Sequence, residues 1–324
     1  MKGTTRKLLR LANKRLVQVQ NNWLRGGFVL GRPFQLTLEP GNVCNLRCPL
    51  CATTHREKRM PKGMLALADA VKILDAFPWT VQLVLSNWGE PLLNQDLPAI
   101  VRAAKARDIE VRLESHLNNL DRAVAEDLMT SGLDVLVVAL DGTTQEAYEA
   151  YRVGGELEQV IANVELLCEV QSDRDDSRTR LLWKFVTNTH NHLQVGDARA
   201  WAERLGMDFE VVEIWTPPGE PEWKAEDERG DDREAGGAPS KCHNLWQAVS
   251  VNFNGDVFPC CSEFSPTDRL SNALEQPFGK VWNSREYRER RTRNKGAVDC
   301  SRCHVDQDTN WAKRWMPDGE SPMP

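Results

Sequence analysis

Six short runs rich in aliphatic and β-branched residues recur along the chain, at 35–39, 81–86, 110–114, 135–140, 181–187 and 209–215. Their composition and length predict strands. Between them, apolar residues spaced by three and four predict helices over 65–77, 97–107, 122–130, 157–170 and 195–205. Strand and helix alternate, which predicts parallel strands joined by right-handed crossovers. Six such units form an α/β fold, either a partial barrel or an open doubly wound sheet.

The polar motifs interrupt this pattern at one kind of place. A cysteine loop follows the first strand, and Asn87–Pro91 follows the second. Ser115-His116-Leu117-Asn118 follows the third, Asp141-Gly142 the fourth, and Thr187–Asn191 the fifth. All lie at C-terminal strand ends, where barrel enzymes gather their active sites.

The pattern changes in two further regions. Residues 217–241 mix eight acids and four bases with Pro and Gly and predict a solvated linker or a lid. Beyond it, two apolar runs flank Asn254-Gly255, a strong hairpin signal. Val281-Trp282-Asn283-Ser284 then leads an Arg- and Glu-rich helix. The expected organisation is a basic helical extension over 1–33, a barrel over 34–216, an acidic linker over 217–241 and a small cysteine-rich unit of hairpin plus helix over 242–324.

Composition is ordinary for a globular chain of 324 residues, 41% hydrophobic and 27% charged. A net charge of −6 argues against wholesale nucleic-acid binding. No run of 18 or more apolar residues is present, so no transmembrane helix is expected. The first acid is Glu39, preceded by Lys2, Arg6, Lys7, Arg10, Lys14, Arg15, Arg25 and Arg32. Leu8, Leu9, Leu11, Leu16 and Val19 share near-helical spacing with them. Such a helix suits an anionic membrane surface or an acidic partner, or packs on the barrel with its basic face solvated. The segment lacks the apolar core and cleavage site of a secretory signal.

Nine cysteines in an unsecreted chain read as metal ligands rather than disulfides, and a cytoplasmic location is expected. Cys44, Cys48 and Cys51 are spaced C-x3-C-x2-C. Three thiolates hold three irons of a 4Fe–4S cluster and leave the fourth open for a ligand that is not protein. Zinc is the competing occupant, with His55 as its fourth donor. Cys242, one of Cys260 and Cys261, Cys300 and Cys303 supply four more thiolates, which suit a closed 4Fe–4S cluster or a zinc site equally by count. Cys168, beside Leu166 and Leu167, reads as core.

The cysteine loop after a strand, Asn87-Trp88-Gly89-Glu90-Pro91, Asp141-Gly142 and Tyr151-Arg152-Val153-Gly154-Gly155 together resemble the radical S-adenosylmethionine (SAM) superfamily. Trp88 stands where the first glycine of the family's Gly-Gly-Glu-Pro motif usually sits, which alters the wall beside SAM. The C-terminal part resembles the SPASM/twitch extensions of that superfamily. The likeness runs over about residues 34 to 310 and implies the partial (β/α)6 barrel rather than the open sheet. It implies a 4Fe–4S cluster on Cys44, Cys48 and Cys51, shielded by Leu50, and a second on Cys242, Cys260 (or Cys261), Cys300 and Cys303. Full SPASM domains carry seven cysteines, whereas five candidates remain here. It implies reductive cleavage of SAM to a 5′-deoxyadenosyl radical that removes a substrate hydrogen atom, with a flavodoxin- or ferredoxin-type electron donor. Gly89, Glu90, Ser115, Asn118, Arg152 and Asn191 are the implied SAM contacts. Arg152 suits a carboxylate bidentately, or touches substrate, or pairs with Glu156. His190 shares the rim, but a lone histidine is more often structural. Cys261 is a ligand, a buried thiol, or a hydrogen-atom donor to a substrate radical.

Oxidation or epimerisation of a sugar-like or other small molecule is the expected chemistry, and modification of a ribosomal peptide is the alternative. Only about 33 residues precede the first strand, so no fused peptide-binding domain is expected, and no cobalamin-binding domain is evident. A non-catalytic zinc-binding interaction protein is the reading from another class; it predicts colourless protein and no SAM cleavage.

Overall fold

The computed structural model describes residues 3–23, 26–55, 61–172, 179–214, 216, 221–225, 243–261 and 268–293. A 21-residue helix, α1 (Gly3–Trp23), precedes the sheet. Six parallel strands follow: β1 (Gln35–Leu38), β2 (Gln82–Leu85), β3 (Glu110–Ser115), β4 (Val135–Ala139), β5 (Arg180–Thr187) and β6 (Asp208–Glu213). They stand side by side in chain order. The connecting helices are α2 (Ala52–His55), α3 (Leu67–Ala76), α4 (Leu97–Lys105), α5 (Arg122–Met129), α6 (Gln145–Tyr151), α7 (Leu157–Ser172) and α8 (Val195–Arg204). Every predicted strand and crossover helix is present, within a residue or two at each end. The barrel is partial, as expected, because β6 forms one open edge of the sheet.

The hairpin is not set apart from the barrel. After a single turn, α9 (Asn244–Gln247), strand β7 (Ala248–Val251) pairs parallel with β1 on the side away from β2. Antiparallel strands β8 (Asp256–Phe258) and β9 (Ser271–Asn272) complete a nine-stranded sheet. Gly255 turns the hairpin at φ +87°, a conformation that a side chain would strain. The helix α10 (Arg285–Arg293) closes the described chain. Buried Arg291 stacks on Trp282 and Tyr287, 4.2 Å from each ring centroid, and donates to the Leu245 carbonyl. Cys242, Cys300 and Cys303 lie outside the described residues.

Alternation along the strands sorts the side chains. Leu36, Leu38, Leu83, Leu85, Val111, Leu113, Leu136, Val138, Trp183 and Phe185 face the helices in one core. Trp183 is fully buried and donates its indole N–H to the Leu140 carbonyl at 2.6 Å. The opposite face carries a small separate cluster, Val135, Val137 and Leu182. Polar side chains share that inner face. Gln247, Gln35, Gln82 and Glu110 join side chain to side chain across the sheet. Further along, Lys184 pairs with Glu114 inside the barrel.

The 217–241 stretch is not uniformly solvated. Among its described residues, Ala225 is fully buried, and Trp223 packs edge-on against Tyr151 and His190 at 5.7 and 5.4 Å.

Candidate active site at the C-terminal rim

The cysteine loop leaves β1 and returns under the β2 rim. One backbone and one side-chain hydrogen bond lock these loops together: Glu90 N–H donates to the Val43 carbonyl at 2.9 Å, and Thr53 Oγ1 donates to the Trp88 carbonyl. Gly89 is required by this docking. A Cβ there would stand 2.0 Å from the Gly41 carbonyl oxygen, inside any tolerable contact. Of the three thiols, Cys48 is buried and Cys44 and Cys51 are partly so.

Two buried carboxylates face this loop. Glu90 accepts from Leu92 N–H and Ser115 Oγ on one oxygen, at 3.0 and 2.7 Å. Its other oxygen takes His116 N–H and lies 3.1 Å from His116 Nε2. Asn118 N–H donates to His116 Nδ1 at 3.1 Å, which assigns the ring hydrogen to Nε2. That nitrogen also lies 3.7 Å from Cys44 Sγ. Burial holds the imidazole below its ordinary pKa, with Glu90 opposing. The imidazole N–H thus stands near both a thiol and a carboxylate.

Asp141 repeats the arrangement beside Cys48. It is fully buried, accepts Val186 N–H at 2.7 Å and takes Arg152 Nε at 2.6 Å. Arg152 Nη1 approaches Cys48 Sγ at 3.9 Å. Burial alone would depress the guanidinium, but Asp141 holds it well above its usual pKa. Arg152 pairs with Asp141, then, and not with Glu156.

The remaining predicted contacts take varied positions. Ser115 Oγ also accepts Leu117 N–H at 2.9 Å. Asn118 bridges the rim to Tyr148 OH at 2.8 Å and to Glu156 N–H at 2.8 Å. Asn191 spends its amide on backbone, donating to the Asp141 and Val186 carbonyls and accepting from Asn188 N–H. That side chain braces the β5 rim. His190 contacts Trp223. Cys168 donates to the Leu205 carbonyl against the core. The Asn87 amide, oriented to satisfy its neighbours, donates to the Cys261 carbonyl at 3.2 Å and accepts from Trp88 Nε1 at 3.0 Å. The Cys260-Cys261 pair therefore adjoins the β2 rim, beside the cysteine loop.

Sequence reasoning gave no role to His116 or Asp141, although both stood in its motifs, and missed Glu39, Glu114 and Lys184. The signal for Glu114 was present: Glu110, Arg112 and Glu114 alternate with apolar residues along one strand, which places charge on an inner face.

The donor set fits an iron–sulfur cluster. Burial pushes the Cys44 thiol up to about 12, and the nearby Glu90, Cys48 and Cys51 add to the push against Leu46 N–H. Cys44 and Cys48, whose thiols burial and neighbouring sulfurs hold protonated, need bound cationic charge to become thiolates. Among the described residues, no three His, Cys, Asp or Glu side chains converge on a single metal ion; the side chain of His55, the fourth donor for zinc, lies outside them.

Comparison with known proteins agrees. The model of the radical SAM superfamily matches residues 38–192, and that of SPASM, an iron–sulfur cluster-binding domain, matches residues 242–304. Over 197 residues, the chain is 31% identical to a probable GTP 3′,8-cyclase of Methanococcus maripaludis, covering 60% of this chain and 61% of that protein. The match to a probable GTP 3′,8-cyclase of Archaeoglobus fulgidus is 34% over 129 residues, 39% of this chain and 42% of that one. The chain thus spans about three fifths or less of these relatives. Among solved structures, SuiB of Streptococcus suis bound to S-adenosylmethionine superposes with a TM-score of 0.65 at 15% identity, over 85% of this chain and 70% of that one. The enzyme anSMEcpe with bound AdoMet gives 0.60 at 13%, over 79% and 83%. At such identities the likeness establishes the fold.

Proposed function

We propose that this chain, which belongs to the radical SAM superfamily and carries a C-terminal SPASM domain, removes a hydrogen atom from a small polar substrate and so oxidises or epimerises it. The superfamily's cofactors are a 4Fe–4S cluster and SAM, and the SPASM domain implies auxiliary iron–sulfur. When bound and reduced, the cluster supplies one electron to SAM, which then provides the hydrogen-abstracting radical. The observation that carries the reading is the convergence of the cysteine loop, Glu90–Ser115–His116 and Asp141–Arg152 on one rim.

Each residue has a task in this scheme. Cys44, Cys48 and Cys51 hold the cluster, while His116 and Arg152 direct N–H groups at two of the sulfurs and stabilise their thiolate charge. Glu90 and the Gly89 backbone form the acceptor surface for SAM's ammonium, and Ser115 and Asn118 hold that surface in place. Cys242, Cys260, Cys300 and Cys303 are the proposed ligands of the second cluster. Cys261, beside Asn87, is the proposed hydrogen-atom donor if the reaction is epimerisation.

The polar inner face supports a small polar substrate. Glu39, Ser250 and Asn252 are buried there with polar atoms that have no partner among the described residues. The relatives named GTP 3′,8-cyclase carry a small, highly polar compound in their names, which agrees. Peptide modification is the alternative.

Anaerobic reconstitution, iron counting and an assay for 5′-deoxyadenosine under dithionite test the proposal. About eight irons per chain, deoxyadenosine from SAM, and loss of both cleavage and part of the iron in Cys48→Ala are expected. Bound zinc with no iron and no cleavage would overturn the enzyme reading. Turnover confined to peptides would overturn the substrate class. In D2O, epimerisation through Cys261 places one deuterium in the product, and oxidation places none.

A further inference from the structure

Helix α1 is amphipathic in the reverse sense. Its buried side chains are Arg10, Asn13, Val17, Gln20 and Asn21, four of them polar. Its exposed side chains include Leu8, Leu9, Leu16, Val19 and Trp23, at 62%, 44%, 44%, 57% and 81%. At 3.6 residues per turn, these five and exposed Ala12 fall within one arc of about 100°. A helix that merely covered a core would turn this arc inward.

Hydrogen bonds fix the orientation. Arg10 donates to the Pro78 and Arg107 carbonyls. Asn13 exchanges bonds with the backbone of Arg32 at 3.0 and 2.8 Å, and Gln20 does the same with Phe28 and Leu30 at 2.6 and 2.8 Å. Asn21 meets His243 at 2.9 Å. Rotating the helix to bury its leucines would strand these groups without partners. The apolar face is therefore held outward. Leu30, whose N–H donates to Gln20, is a further exposed leucine at 65%.

Charge selects the occupant. Exposed Arg15 and Arg6 border the stripe, about 20° beyond Leu8 and about 60° beyond Leu9, and no acid occurs before Glu39. Apposing a second copy would set these cations against one another. An apolar stripe ending in Trp and flanked by cations matches the boundary between acyl chains and anionic headgroups. No described helix is long and apolar enough to cross a membrane, so contact would be peripheral. Pro78 and Arg107 precede β2 and β3, which puts α1 at the end of the barrel opposite the cysteine loop.

We infer that α1 docks the protein on an anionic lipid surface, with its Leu8–Leu16–Val19–Trp23 stripe in the interface and the active-site rim directed away from it.

Flotation of the whole chain with vesicles tests this, using phosphatidylcholine alone and phosphatidylcholine mixed with phosphatidylglycerol. Binding to the mixed vesicles, little to phosphatidylcholine, and weakening by added salt are expected. L16E/V19E should lower the affinity by at least about a hundredfold, because two side chains worth about 1.5 kcal/mol or more each are lost from the interface. Both sites are exposed, so folding is unaffected; an unchanged circular dichroism melt checks this. Failure of the wild type to float, equal binding by the variant, or a dimer in sedimentation equilibrium that the variant dissolves would each overturn the inference, the last in favour of self-association.

Discussion

On the β2–β4 side of the barrel mouth, the buried carboxylates Glu90 and Asp141 have a donor on all four oxygens. On the β1–β7 side, Glu39 Oε1, Ser250 Oγ and both amide atoms of Asn252 are as deeply buried and meet no partner among the described residues. A buried polar group without a partner forfeits about 1–3 kcal/mol. Those two carboxylates are satisfied before any ligand arrives, as suits groups that hold the same cofactors in every turnover. The second side keeps unmet hydrogen-bonding capacity, and it is the side to which the proposed reading gives the substrate.

Asp141→Ala tests the satisfied pair most severely. It would leave the Arg152 guanidinium buried beside Cys48 without its carboxylate. Stability should fall by about 3–5 kcal/mol, measured by urea unfolding under anaerobic conditions. A loss below about 1 kcal/mol would mean that Arg152 finds another partner, and the contrast between the two sides would narrow.

The β1–β7 side should announce itself through pH. Burial raises the Glu39 carboxyl from 4.5 to about 7, against opposing N–H groups of Phe253 and Trp88. Between those values the folded chain keeps a proton that the unfolded chain has released. The stabilisation is complete below about pH 4.5 and is lost as pH rises through about 7, a change of about 2–4 kcal/mol. Unfolding free energies measured across that window should carry this downward component in the wild type and lose it in Glu39→Gln. Identical slopes in the two proteins would show that Glu39 ionises normally.

The two sides also differ in how far they were legible in the sequence. The six strands and the rim position of Cys44, Cys48, Cys51, Glu90 and Asp141 follow from periodicity and from motifs at strand ends, which are local signals, whereas periodicity left the strand order open and the family resemblance implied it. The joining of β7 to β1 does not, because that parallel pair brings Gln35 beside Ala248 across more than two hundred residues. Glu39, Ser250 and Asn252 become one neighbourhood only through that pairing, so no motif announces them. The α1 orientation was hidden differently: hydropathy marks an amphipathic helix but not which face turns inward, and tertiary hydrogen bonds from Arg10, Asn13 and Gln20 decide it.

The smallest expected effect gives the sharpest form of the comparison, because each side carries one buried serine. Ser115 Oγ donates to Glu90 and accepts from Leu117 N–H, whereas Ser250 Oγ meets no described partner. Ser115→Ala leaves both groups wanting and should cost about 1–3 kcal/mol. The same substitution at Ser250 removes an unpartnered hydroxyl from a site 1% exposed and should cost nothing, raising stability by up to about 1–3 kcal/mol. Activity should divide the same way. Ser115→Ala should slow deoxyadenosine formation in the absence of substrate, because the acceptor surface at Glu90 loosens. Ser250→Ala should leave that reaction unchanged and raise KM for the substrate. Equal stability losses at the two serines would mean that Ser250 already has a partner such as bound water, and the β1–β7 side would then be as complete as the other.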